Sequence, residues 1–232
     1  FSMNIESVNE NTCIVYFGDQ IGDESARRVK LATESIRRSM ADVVIDLVPS
    51  YTSVLVSYDL ERIDRLAVAR RLRVAADQVE DGANTGDTSR TVELPVYYGS
   101  EVGLDLDAVC DFSGLSAEEV IDIHSRQSYQ VYAIGFAPGF AYLGSTDKRI
   151  AIPRKSTPRL KVPTGSVGIA GTQTAISPST TAGGWQIIGR TPQKMIDWDS
   201  ESLALVQVGD QVRFRPIDRQ EFLDLGGSLD ES

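Results

Sequence analysis

Glycine cuts the second half of this chain into pieces too short for anything but small strands. Gly165, Gly168, Gly171, Gly183-Gly184 and Gly209-Asp210 separate β-prone runs at 167–170, 172–177, 185–189, 204–208 and 212–216, after a longer β-branched and aromatic run at 129–136. Many short strands between glycine turns predict a mainly-β, closed or nearly closed barrel rather than alternating α/β layers.

The first half has a different rhythm. Runs at 4–9 and 12–17 read as strands, and Ala26, Val29, Ala32, Ile36 and Met40 recur at helical spacing between polar residues. Strands at 43–48 and 54–58 and a second amphipathic helix from Ile63 toward Val79 complete a β-β-α-β-β-α order. Two helices on one face of a small antiparallel sheet bury both apolar stripes, so residues 3–81 predict an α+β sandwich domain. Residues 82–90 combine turn formers and acids with no large apolar side chain and read as a linker. The barrel domain then covers 91–217, with Pro95 suggesting an edge or end position for its first strand. Two short helices precede the longer run. One stops at Ser113-Gly114, and the other starts from the capping box Ser116-x-x-Glu119 and carries His124 in its last turn. Residues 218–232, ending GGSLDES, read as a flexible tail. Phe1-Ser2 ahead of Met3 reads as a cloning remnant.

Charge is distributed unevenly along the barrel segment. Between Lys148 and Ile196 the sequence holds Lys148, Arg149, Arg154, Lys155, Arg159, Lys161, Arg190 and Lys194 but no Asp or Glu, in a chain with 33 acids among 232 residues and net charge −10. A local positive field interleaved with Gly and Pro suits a small anionic ligand or an acidic partner surface; the alternative is a solvated basic face. The acidic chain as a whole lacks the basic footprint of general nucleic-acid or anionic-membrane binding. No apolar run approaches a membrane span and no signal segment is evident, which predicts a cytoplasmic protein. Cys13 and Cys110 stand alone, so neither a disulfide framework nor a C-x-x-C motif is available, and both read as buried, inert thiols.

His124 is the one histidine, hence the one imidazole available for proton transfer near neutral pH. A helix C-terminus also favours a protonated histidine for structural reasons alone. In PRKSTPRLKVP at 153–163, three prolines hold the backbone extended, and arginine is the natural bidentate partner of a carboxylate or phosphate. The alternative for Arg159 is a pairing with acids of the first domain. Gln173, Thr174, Gln186 and Arg190 lie on glycine-flanked strands open to close approach. Trp185 can floor a pocket or fill the barrel, and core filling is the expectation. The chain shows no phosphate loop, no nucleophile elbow and no second histidine for a metal site, so no metal is expected, and in any ATP chemistry a partner would supply much of the nucleotide or catalytic site.

GFAPGFAYLG at 135–144, PR at 153–154, PRLKVPTGSVGIAGTQTAISP at 158–178 and TAGGWQIIGRTP at 181–192 closely resemble the KipI-like family, which includes the 5-oxoprolinase B subunits and is also named allophanate hydrolase subunit 1. The resemblance runs over roughly 92–216, and PSYTSVLVSYD at 49–59 fits the family's first domain. It implies a small α+β domain followed by a cyclophilin-like β-barrel. It also implies work beside two partners, a KipA-like C subunit plus a lactam-utilisation A subunit, in a complex that uses ATP to open 5-oxoproline to L-glutamate; given the missing catalytic motifs, the chain alone is expected to be inactive. Other branches imply a histidine-kinase inhibitor or a part of a urea- or allophanate-metabolising system. The pocket residues implied are His124, Pro138, Gly139, Arg154, Arg159, Gln173, Thr174, Gln186 and Arg190, with His124 assisting proton transfer and the basic stretch holding a small anionic substrate.

Overall fold

A computed structural model describes residues 3–81, 90–200 and 203–230. The linker expected at 82–90 lies, Arg90 apart, outside the described residues. Backbone contacts divide the chain into two compact units, Phe1–Thr88 and Ser89–Ser232.

In the first unit the order is β1 (Asn4–Ser7), β2 (Thr12–Tyr16), α1 (Asp23–Ser39), β3 (Val44–Ser50), β4 (Ser53–Tyr58) and α2 (Arg65–Asp81). The strands pair antiparallel in the order β1-β2-β4-β3. Along β4, Val54, Val56 and Tyr58 are buried while Ser53, Leu55 and Ser57 are half-buried, the two-residue alternation of a strand with one face on a core. α1 buries Val29, Ala32 and Ile36 on that core. Its acids Asp23 and Glu24 lie in the first turn and Arg37 and Arg38 in the last, each sign complementing the helix dipole. Small residues bring α1 and α2 close enough for Ser35 Oγ to donate to the Ala75 carbonyl at 2.9 Å.

The second unit contains β5 (Thr91–Tyr97), α3 (Leu106–Ser113), α4 (Ala117–Ser125), β6 (Ser128–Ile134), β7 (Ala141–Gly144), a 3-10 turn at Lys148–Ile150, β8 (Arg159–Val162), β9 (Ser166–Ala170), β10 (Gln173–Ile176), β11 (Thr181–Gly183), β12 (Gln186–Arg190), β13 (Gln211–Ile217) and α5 (Arg219–Asp224). Seven strands follow one another as β6-β13-β5-β12-β9-β10-β7, and β7 pairs back onto β6, closing a barrel. β13 and β5 run parallel over seven residue pairs, and the other described barrel pairings are antiparallel. β8 and β11 form a separate two-stranded ribbon. Tyr129, Val131, Leu143, Val167, Ile169, Ile188, Val212 and Phe214 belong to the barrel core, against which α3 and α4 pack Leu106, Val109, Val120 and Ile123. The expected helix signals are realised: Gly114 ends α3 at φ 71°, and Ser116 and Glu119 form the reciprocal capping box of α4.

Four expectations need correction. β5 is an interior strand, not an edge; β12 meets it only at Arg190–Tyr97, so Pro95 occupies a stretch with one open side, where a missing N–H is tolerated. The run at 204–208 forms no ladder beyond an isolated bridge between Ile196 and Ala204, and Val206 is buried by packing alone. Cys110 is half-buried rather than buried, whereas Cys13 sits in the first core; burial pushes both thiols up. The expected flexible tail opens, within its described residues, on a packed helix: Asp218 Oδ1 accepts from the Glu221 N–H at 2.8 Å to cap α5, and Phe222 is fully buried. Beyond it, the carbonyls of Ser228 and Asp230 accept from Arg190 Nη1. Asp218→Ala should therefore cost about 1 kcal/mol, as for other N-caps. Urea unfolding measures this, and an unchanged midpoint would put α5 outside the cooperative unit.

Candidate functional site

The loop between the 3-10 turn and β8 is fastened residue by residue. Gln186 Nε2 donates to the Pro153 carbonyl at 3.1 Å, and the Lys155 N–H donates to the Gly184 carbonyl at 2.8 Å. Behind it lies Asp105, just before α3 and 4% exposed. Its carboxylate accepts from Lys155 Nζ at 2.8 Å, from Arg159 Nη1 and Nη2 at 2.5 and 2.9 Å, and from the Ile187 N–H at 2.8 Å. Burial opposes ionisation of Asp105, but the bonds from Arg159, Lys155 and the Ile187 N–H outweigh it and hold the carboxyl below the usual range.

Arg154 lies between these fastenings, exposed, with its guanidinium 5.5 Å from the Trp185 ring centroid. Trp185 is half-buried and meets Phe140 and Tyr142 at centroid distances of 6.0 and 6.2 Å; Phe136 stands edge-on to Phe140 at 5.5 Å. These side chains, with Pro158, Val162, Ser177 and residues 181–184, line a pocket of about 270 Å3. Phe136 is 73% exposed and left-handed at φ 70°, costly for a bulky aromatic. Gly139 closes the turn between Phe136 and Phe140 at φ 76°, where a Cβ would meet Ile196 Cγ1 at 2.5 Å.

The structure thus collects only part of the expected set. Arg154 lines the pocket, Gln186 holds its loop, and exposed Pro138 with Gly139 shapes the turn carrying two of its aromatics. Trp185 floors the pocket, correcting the expectation that it fills the barrel. Arg159 meets a carboxylate, but not one of the first domain: Asp105 of the same unit engages it. Gln173 opens β10, paired with Gly144 and Ala170. Arg190, 3% exposed, holds the C-terminal carbonyls beside a different groove of about 600 Å3. His124 and Thr174 are both fully buried inside the barrel.

His124 stands apart from the pocket, inside the barrel, with both ring nitrogens engaged. Thr174 Oγ1 donates to the Gly168 carbonyl at 2.9 Å and so receives the His124 Nε2 proton at 3.0 Å, leaving Nδ1 to accept from the Tyr98 hydroxyl at 2.8 Å. The ring stacks on Phe214 at 4.6 Å, and burial lowers its pKa to about 3. A neutral, fully bonded imidazole without access to solvent is a strut of the core.

Phe136, Phe140 and Tyr142 are pocket residues that sequence reasoning does not single out; their signal is the aromatic spacing around Pro138-Gly139. Asp105 has no local signal, being 50 residues from Lys155. Among the described residues no group of three or more His, Cys, Asp or Glu side chains could hold a metal, and no helix is long and apolar enough to cross a membrane.

A closed seven-stranded barrel flanked by helices is the class of fold that the second unit defines. The family model "Carboxyltransferase domain, subdomain C and D" matches residues 3–206, and the chain belongs to that family, which includes the 5-oxoprolinase B subunits. It is 38% identical to the 5-oxoprolinase B subunit of Bacillus subtilis (strain 168), with 94% of each chain covered. It is 47% identical to the protein of the same name from Escherichia coli O157:H7, over 55% of this chain and 59% of that one. Among solved structures, that of TTHA0988 superposes with a TM-score of 0.77 at 33% identity, covering 90% of this chain but only 40% of TTHA0988. The Kluyveromyces lactis urea carboxylase shares the fold, with a TM-score of 0.71 at 16% identity over 96% of this chain and 22% of that enzyme.

Proposed function

We propose that this chain is the B subunit of an ATP-dependent 5-oxoprolinase, opening 5-oxoproline to L-glutamate together with two partners, a KipA-like C subunit plus a lactam-utilisation A subunit. The observation that carries the reading from the structure is Arg154: a cation without a carboxylate partner among the described residues, set over an aromatic floor in a pocket of small-molecule size. 5-Oxoproline is a compact ring bearing one carboxylate, and that pairing of apolar wall with single cation suits it. The names of the relatives at 38% and 47% identity support the same choice.

The pocket does not fit a nucleoside triphosphate. At about 270 Å3 it falls near the lower limit for ligand sites, and one guanidinium is a poor match for a triphosphate's charge. In this reading the partners hold ATP, while this chain captures the lactam acid and presents it. Reconstitution tests the assignment: all three subunits should hydrolyse ATP in response to 5-oxoproline, with at least a hundredfold loss when this chain is omitted. The purified single chain should show neither activity. Turnover by this chain alone, or full activity without it, would overturn the reading.

A further inference from the structure

We infer that the Arg154–Trp185 pocket selects carboxylates that carry no neighbouring ammonium group, the class of N-acylated and lactam amino acids, and rejects free zwitterionic amino acids. This deepens the function proposed above, on which the choice of 5-oxoproline as a probe rests.

The sequence from Lys148 to Ile196 contains no acid. Arg154, Val162, Ser177, the β11 backbone and Trp185 all come from that segment, and the other walls are Phe136, Phe140 and Tyr142. Among the described residues no Asp or Glu lines the pocket. The nearby buried acid, Asp105, is already saturated by Lys155, Arg159 and the Ile187 N–H. An α-ammonium entering beside a carboxylate would find no anion to pair with, and would lie close to the guanidinium that holds the carboxylate. Aromatic faces attract cations in general, but Arg154 itself already occupies the position over Trp185. Desolvating an unpaired ammonium in such a site is unfavourable. A lactam or acylated nitrogen carries no charge, and so needs no anion from the residues that line the pocket.

Proline is the sharpest comparison, since it differs from 5-oxoproline chiefly by replacing the ring amide with a charged amine. Titration calorimetry on the full chain, alone and in the reconstituted complex, should show 5-oxoproline binding at least tenfold tighter than L-proline or L-glutamate. 2-Pyrrolidinone, which lacks the carboxylate, should also bind at least tenfold more weakly. N-Acetylglycine should bind more tightly than glycine, a comparison that does not involve 5-oxoproline chemistry. Arg154→Gln should abolish the advantage of 5-oxoproline over 2-pyrrolidinone without changing the melting temperature. Equal binding of proline and 5-oxoproline, an unaltered Arg154→Gln profile, or no binding of any carboxylate in either preparation would overturn the inference. The two readings fail separately. A complex that turns over 5-oxoproline while the pocket shows no such selectivity keeps the function and loses the site. Preference for N-acetylglycine over glycine without 5-oxoproline-dependent ATP hydrolysis keeps the site and loses the function.

Discussion

Replacing Asp105 by Ala should destabilise the barrel unit by roughly 3–5 kcal/mol, the usual cost of removing one partner from a buried ion pair. Three donors lose their acceptor at once: Lys155 Nζ, the Arg159 guanidinium and the Ile187 N–H. The side chains of Lys155 and Arg159 are 27% and 26% exposed, too enclosed for water to replace the carboxylate fully. Because the same carboxylate fastens the loop bearing Arg154, ligand affinity should fall together with stability. That coupling separates the variant from Arg154→Gln, which should lower affinity alone. Pairing Asp105→Ala with Arg159→Leu should recover part of the lost stability, since the second change removes an orphaned charge. Urea unfolding of the two single variants and the double variant measures this. A loss below about 1 kcal/mol for Asp105→Ala would make the cluster a surface-grade interaction.

Asp105 also marks the limit of what the sequence discloses. The barrel is legible because alternation and glycine punctuation act locally, and α4 because Ser116 and Glu119 are only three residues apart. The basic stretch is legible as charge, but its division of labour is not. Arg154 and Arg159 both follow a proline in similar surroundings, and only the fold's placement of Asp105 consumes one and spares the other. His124 reads from sequence as a titrating group at a helix end, because nothing local says that β10, β13 and Tyr98 will enclose that end. Helix α5 is within reach of sequence reasoning: Asp218-x-x-Glu221 followed by Phe222 is a helix-start pattern with an apolar anchor. The glycine-rich ending masks it by suggesting disorder. Short β7, β8 and β11 escape because three or four residues are too few to show a period.

His124→Gln should remove most of the pH dependence of stability between about pH 6.5 and pH 5. The folded pKa of about 3 lies below the ordinary value of 6.5, so the unfolded chain binds the proton more readily. Stability contributed by the neutral ring is fully present above about pH 6.5 and is lost progressively as pH falls toward the folded value. Within the window each pH unit approaches about 1.4 kcal/mol for a single group. The slope can be assigned to one side chain because the chain contains one histidine, and ordinary carboxylates titrate mainly below the window. At pH 7 the variant should itself be weaker by roughly 2–3 kcal/mol, since a buried amide reproduces neither the stack on Phe214 nor both hydrogen bonds to Tyr98 and Thr174. Unfolding free energies at pH 7, 6 and 5 should therefore converge, the native protein losing stability as the variant stays nearly level. Activity per folded molecule in the reconstituted complex should be unchanged at pH 7, because the imidazole has no route to a substrate. A variant of native stability whose turnover collapsed would return His124 to the chemistry, and parallel pH slopes would show that the ring protonates without leaving the core.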